Sequence, residues 1–409
     1  MAAPTLYWHD YETTGADARR DRPVQFAGLR TDLDLNPVGE PAVHYCRPAT
    51  DVLPGPIACA VTGIGPRLAQ DQGLAEAEFA AAVLEELAQA GTCALGYNTL
   101  RFDDEVTRHL LWRNLYDPYA REWRDGNSRW DVIDLFRLAR ALRPEGLEWP
   151  EHESGVPSFR LEDLARANGI EHDAHDALAD VEATLELTRR LRAAQPRLYD
   201  WAFGRRDKHS AAALLPLNGD QPVLHVSEKF GALRGCIAPV AAVATHPYNR
   251  NGVIVVDLAA DIEPLLEWDA EALAAAMFTA AAEREAGTPA IPLKVVKLNA
   301  APVLAPINTL TGEAAERLEI DVEHARDVLH HLRATEGLAA KLRDVYQQPP
   351  PAPDDVDLAL YDGFVDDADR DRMDAVHRRS PEELAAFDPG FADPRLRELY
   401  FRFRARNWP

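Results

Sequence analysis

A chain of 409 residues is too long for one typical hydrophobic core and predicts two or three domains. Its 46% apolar and 27% charged residues describe a folded globular protein, and apolar runs that are short and broken by charges exclude a membrane-spanning helix. The formal net charge of −23 speaks against indiscriminate adhesion to nucleic acid, although a local basic groove is compatible with an acidic exterior.

Taken in chain order, Met1-Ala2-Ala3-Pro4 lacks the basic and apolar regions of a secretory leader, which predicts a cytoplasmic protein. The stretch from Leu6 to Gly15 reads as a strand ending in a turn. Two further strands, Gln25 to Asp32 and Pro41 to Cys46, joined through Asn36-Pro37, make an antiparallel meander with it. A Pro/Gly-rich loop follows, then a helix from Ala75 to Ala90 and a buried strand from Thr92 to Tyr97. Helices are expected from Phe102 to about Tyr116, Asp131 to Leu142, Phe159 to Asn168 and His175 to Ala194, giving a mixed α/β (α+β) region over residues 1–196. Beyond Gln195-Pro196, Val223 to Val226, Ile237 to Ala244 and Val253 to Asp257 suit a small barrel within residues 197–348. A helix from Glu271 to Glu285, a strand from Leu293 to Leu298 and a helical run from Ala314 to Tyr346 complete it. The prolines between Gln347 and Pro353 predict an extended linker to a small helical domain over residues 354–409. Cys46, Cys59, Cys93 and Cys236 form no C-x-x-C pair, so neither a zinc knuckle nor a disulfide framework is expected.

The first strand carries Asp10 and Glu12. Alternation places both side chains on one face, about 7 Å apart along the backbone. Two anions that close raise each other's pKa unless a cation lies between them, although an edge strand with two solvated acids reads the same way. Asp103 opens a helix just after the strand ending at Asn98, where an acid also simply complements the helix dipole. His175 precedes Asp180 by five residues at the start of an Ala-rich helix, where a His-Asp run also serves as a cap. Gly63-Ile64-Gly65 lacks the third glycine and following helix of a dinucleotide site.

Together D-x-E, D and H-x4-D resemble the DnaQ-like 3′→5′ exonuclease family, the histidine subclass of the DEDD exonucleases, with all five positions filled. Further segments resemble a bacterial, three-domain branch of that family. They include His9 to Thr13, Arg101 to Arg108, Asn127 to Asp131, Leu142 to Gly146, Ser158 to Glu162, Arg205 to His209, Gly231 to Gly235, Tyr361 to Phe364 and Tyr400 to Trp408. The resemblance implies a ribonuclease-H-like mixed-sheet exonuclease domain, an SH3-like domain and a C-terminal helical domain that together enclose single-stranded DNA. Members of the branch continue beyond the motif at Arg406 to Pro409, so a shortened C-terminal domain is expected.

The activity so implied is processive 3′→5′ degradation of single-stranded DNA to 5′-mononucleotides in repair and recombination. Phosphodiester hydrolysis needs a nucleophile at neutral pH and charge neutralisation at the phosphate, which two Mg²⁺ ions, or Mn²⁺ in their place, supply. By the resemblance Asp10 bridges both ions, Glu12 and Asp180 hold the nucleophile-side ion, Asp103 supports the second through water, and His175 is the general base. Expected contacts to the strand come from Glu12, Thr13 and Asn98. Arg143, Lys208, Lys229 and Arg234 are candidates for phosphates, and Trp201 and Phe230 for base stacking, although aromatic residues beside basic ones also serve core packing. Between Arg197 and Arg250 seven Lys and Arg residues face four acids, against the trend of the chain. A further partner implied by the family is the acidic C-terminal tail of single-stranded-DNA-binding protein, with Arg143 contributing and Pro306 and Thr311 where more polar residues are expected. A monomer is expected. The competing expectations are an RNA-trimming or proofreading nuclease, separated by acceptance of ribose, and a noncatalytic strand-binding protein, which would not need all five residues.

Overall fold

A computed structural model describes residues 3–171, 176–279, 283, 287–347 and 353–408. The described residues form two compact units. One draws on Met1–Val132, Gly169–Arg189 and Pro351–Pro409, the other on Ile133–Asn168 and Arg190–Pro350. The proline-rich linker lies mostly outside the described residues.

The first unit is built on a five-stranded sheet. Strands β1 (Thr5–Thr13), β2 (Pro23–Thr31) and β3 (Ala42–Tyr45) form the expected antiparallel meander. After them come helices α1 (Pro56–Thr62), α2 (Pro66–Gln72) and α3 (Glu76–Leu87), strand β4 (Thr92–Gly96) and helix α4 (Asp103–Arg113). Strand β5 (Ser128–Asp131) then leads directly into α5 (Val132–Leu142). The order β3-β2-β1-β4-β5, with β4 and β5 parallel to β1, puts β1 at the centre. Its odd-numbered Tyr7 and Tyr11 pack with Phe26, Phe79, Val83, Val106 and Leu110 beneath α3 and α4. Its even-numbered Asp10 and Glu12 are left for the opposite face.

Two details differ from the expectation in this region. The stretch after β3 is helical rather than loop, because Gly55-Pro56 and Gly65-Pro66 each supply an extended residue followed by a proline suited to a first helical turn. Asp131 ends a strand instead of starting a helix; Trp130, 1% exposed, pairs opposite Leu95.

Helices α6 (Leu161–Ala167) and α7 (Ala177–Ala194) follow, the latter crossing the division between units at Arg189. The second unit then adds α8 (Pro196–Phe203) and α9 (Lys208–Leu214) before strands β6 (Val223–Val226), β7 (Ile237–Thr245) and β8 (Gly252–Asp257). Helices α10 (Glu263–Glu267) and α11 (Ala270–Phe278) precede β9 (Leu293–Lys297) and β10 (Leu304–Pro306). The five strands form an antiparallel sheet in the order β10-β6-β7-β8-β9. The run expected as one helix to Tyr346 is three: α12 (Gly312–Arg317), α13 (Val322–Ala334) and α14 (Leu338–Asp344). Positive φ at Glu319 and Gly337 interrupts it.

Back in the first unit, α15 (Asp367–His377), α16 (Pro381–Leu384) and α17 (Pro394–Asn407) pack Met373, Val376, Leu396, Leu399 and Phe403 against Trp112 and Leu115 at the end of α4. A buried ion network ties this segment down. Arg22 meets Asp357 at 2.7 Å, Asp357 also meets Arg406 at 2.9 Å, and Asn407 accepts from the Ala77 amide at 2.8 Å.

Candidate active site

The end of β1 is where the sheet's pairing gives way. Pairing with β4 runs only to Trp8, and the register with β2 shifts between Glu12 and Thr13. The backbone N–H of Tyr11, left without a β4 partner, donates to Asp103 Oδ1 at 3.0 Å. That bond ties the first turn of α4 to the residue between Asp10 and Glu12. Close approach makes it feasible: at Gly96 a Cβ would stand 2.5 Å from the His9 carbonyl oxygen.

Asp180 reaches the same face from α7. Asp176 caps that helix, its Oδ1 accepting from the Ala179 amide at 3.0 Å. Gln25, the register partner of Glu12 on β2, accepts from the Ala177 amide at 3.3 Å and brings its Nε2 to 3.5 Å from Asp176 Oδ2. As a result, one carboxylate oxygen from each of Asp10, Glu12 and Asp180 lies within 4.8 Å of the others.

This concentration of charge changes the acids. Burial, then Asp103, Asp180, Glu12 and Asp176, pushes the Asp10 carboxyl well above its usual range. Glu12 is pushed up to about 8 by burial and by Asp180 and Asp176. Burial also raises Asp103, against the hydrogen bonds from its own amide and that of Tyr11. Its neighbour Asp104 goes the other way: burial opposes its charge, but Arg129 and Arg121 hold it well below 3.8. A site of clustered carboxylates, with hard oxygen donors throughout, suits a divalent cation of the Mg²⁺ or Mn²⁺ type. Asp10, Glu12 and Asp180 are placed to hold it, with Asp103 beside them.

His175, together with His172 and Asp173, lies outside the described residues. Thr13 is buried and donates to the Gly15 carbonyl at 2.6 Å. Asn98 takes a left-handed conformation, φ 64°, and its amide donates to Asp131 Oδ1 at 2.9 Å. The other expected contacts belong to the second unit and are described there by themselves. The half-buried Arg143 donates to the carbonyls of Leu142 and Thr309 at 2.5 and 3.3 Å. Trp201 donates to the Leu304 carbonyl at 3.2 Å and carries the Arg205 guanidinium 3.3 Å from its ring centre. Lys208 and Lys229 are exposed. Phe230 is a core residue: it is 9% exposed and packs with Val240, Val255 and Val296, so its ring offers little face for a base. Arg234 forks onto Asp257 at 2.7 and 3.2 Å, which neutralises it locally.

Sequence reasoning does not single out Asp176, Gln25 or Asp131, each of which acts by orienting backbone or side-chain groups around the site. Asp176 is signalled by an acid just before an Ala-rich helix and Gln25 by a polar residue opposite Glu12.

The three expected domains have counterparts among known families. The family model described as Exonuclease matches residues 7–188, that for the exonuclease I SH3-like domain residues 206–348, and that for the exonuclease I C-terminal domain residues 354–409. Exodeoxyribonuclease I of Escherichia coli K12 is 48% identical over 99% of this chain and 86% of its own length. Among solved structures, exonuclease I from Methylocaldum szegediense is similar at a TM-score of 0.95 and 53% identity, covering 100% of this chain and 86% of that one. The zinc-ion-bound form of the E. coli enzyme in complex with single-stranded DNA has a TM-score of 0.95 and 48% identity, covering 99% and 87%. A structure of SSB/exonuclease I in complex with the inhibitor CFAM has a TM-score of 0.93 and 47% identity, covering 100% and 87%. A ribonuclease-H-like nuclease domain, an SH3-like domain and a C-terminal domain thus stand in the same order, with nearly half of all positions identical, and the chain belongs to the exodeoxyribonuclease I family of exonucleases.

Proposed function

We propose that the chain is a 3′→5′ exonuclease that degrades single-stranded DNA processively to 5′-mononucleotides, using two Mg²⁺ ions for which Mn²⁺ substitutes. The observation that carries this is the convergence of Asp10, Glu12 and Asp180 within 4.8 Å, with Asp103 anchored on the intervening Tyr11 amide. When bound, the ions supply a reactive water near neutral pH and neutralise charge on the attacked phosphate.

The residues of the chain hold and orient. Asp10 and Glu12 are fixed by a central strand and Asp180 by a capped helix, so the donor set is preorganised without a ligand. Asp103 spends Oδ1 on the Tyr11 amide. His175 is the assigned general base, by its place in the motif. Lys208 and Lys229 are assigned to phosphates and Arg143 to the acidic tail of single-stranded-DNA-binding protein. Work on damaged or recombining DNA in the cytoplasm, as a monomer, completes the proposal.

The test is a time course on 3′- and 5′-labelled single strands, with duplex DNA and RNA controls, in Mg²⁺ and in EDTA. Mononucleotide release from the 3′ end of single-stranded DNA, abolished by EDTA, is the expected result. Preference for RNA would move the assignment to a trimming nuclease, and strand binding without cleavage would remove the catalytic one.

A further inference from the structure

The first turn of α4 contains two adjacent buried acids with opposite surroundings. Asp103 faces the carboxylate site and is 3% exposed; Asp104 faces away from it and is 2% exposed. Asp104 Oδ1 receives the Arg121 guanidinium at 2.5 Å and Oδ2 that of Arg129 at 2.7 Å. Arg129, on β5, also reaches Glu122 at 3.0 Å, and Glu122 takes the Arg108 fork at 2.7 and 3.0 Å. Arg108 in turn meets Glu105 at 2.9 Å, and Glu105 accepts from the Tyr361 hydroxyl at 2.7 Å. Three guanidinium groups and three carboxylates from α4, the 120–122 turn and β5 therefore form one alternating cluster.

Removing ions from water is costly, and such a cluster contributes little to stability compared with apolar packing. What it supplies is geometry. The residue before α4, Phe102, makes no side-chain cap bond to the helix, so the turn is held from its sides instead. On one side Asp103 bonds the Tyr11 amide and Thr107 the Tyr11 hydroxyl at 3.0 Å. On the other side stand the two arginines on Asp104.

We propose that Asp104, through Arg121 and Arg129, is a positioning residue for the metal site: it fixes the rotation of the first turn of α4 and so the distance at which Asp103 faces Asp10. This rests on the metal-site assignment above. Partners behind a ligating group characteristically change metal affinity or activity by about 10- to 100-fold when altered.

The test compares Asp104→Asn and Arg129→Lys with the parent protein. Lysine keeps the charge of Arg129 but cannot span Asp104 and Glu122 together. Mn²⁺ binding is followed by electron paramagnetic resonance without DNA, kcat and KM on single-stranded DNA are measured at saturating Mg²⁺, and unfolding temperature reports the fold. Arg129→Lys is expected to stay folded, to bind Mn²⁺ about tenfold more weakly, and to lose about tenfold or more in kcat with KM for DNA within about twofold. Asp104→Asn should do the same more strongly. Parent-like Mn²⁺ affinity and kcat in folded Arg129→Lys would overturn the positioning role, as would losses in both variants that merely follow the unfolded fraction. A parent protein that binds no Mn²⁺ would instead overturn the metal-site assignment itself.

Discussion

Glu12 and Asp104 stand at opposite ends of the same electrostatic problem. Raised from 4.5 to about 8, Glu12 holds a proton in the folded protein that it would lose when unfolded. Without a cation its contribution therefore falls as pH rises from about 4.5 to about 8. A divalent ion must displace that proton, so its affinity grows over the same window. The unfolding temperature gained on adding Mg²⁺ is accordingly expected to be larger at pH 8 than at pH 6, and differential scanning fluorimetry at the two pH values checks it. Asp104, held below 3.8, contributes above that value and loses its contribution as pH falls through the folded pKa. Replacing Asp10 or Asp180 by alanine should abolish Mg²⁺-dependent hydrolysis while leaving the fold largely intact, since burial and neighbouring acids, Asp180 among them, already oppose a charged carboxylate at Asp10. Retained hydrolysis in either purified variant, read on labelled single strands, would refute the ligand set. For His175→Ala the expected loss in the chemical step is about 10²- to 10⁴-fold, measured by single-turnover cleavage.

Helices and strands explain what was legible. Alternation alone puts Asp10 and Glu12 on one face of β1, because a strand has a period of two whatever surrounds it. The arrival of Asp180 beside them follows from the motif pattern, not from local propensity. Less could be read where one long-range contact decides. The four-residue β5 is too short to show a pattern, and Phe230 in a basic stretch reads as a stacking face until the sheet encloses it. Arg234 similarly looks available until Asp257 arrives from 23 residues away. The docking of the C-terminal segment belongs to this class. Arg22 and Asp357 have side chains 8% and 6% exposed, so Asp357→Ala takes the nearer of two acids from a buried guanidinium, Glu76 standing at 3.9 Å, and should cost about 3 kcal/mol. Arg402→Ala, at a more exposed position with 28% side-chain exposure, should cost less. Urea unfolding of the two variants orders them.

For the whole molecule the puzzle is a net charge of −23 on a chain assigned to a polyanion. The exposed Lys208 and Lys229 offer local charge that Arg234 does not, being matched to Asp257. Lys229→Ala should therefore make the slope of log K against log salt for single-stranded DNA less negative by about 0.7, and Arg234→Ala should change it far less. Fluorescence anisotropy across a salt series measures both. The division of the chain bears on how the protein comes into being. Arg22 finds Asp357 across 335 residues, and residues 133–168 and 190–350 belong to another unit. A ribosome adding about 5–20 residues per second presents Arg22 roughly 20 to 70 s before its partner. The unit that holds Asp10 and Glu12 therefore acquires its Arg22–Asp357 ion pair late in synthesis, long after β1 itself has emerged.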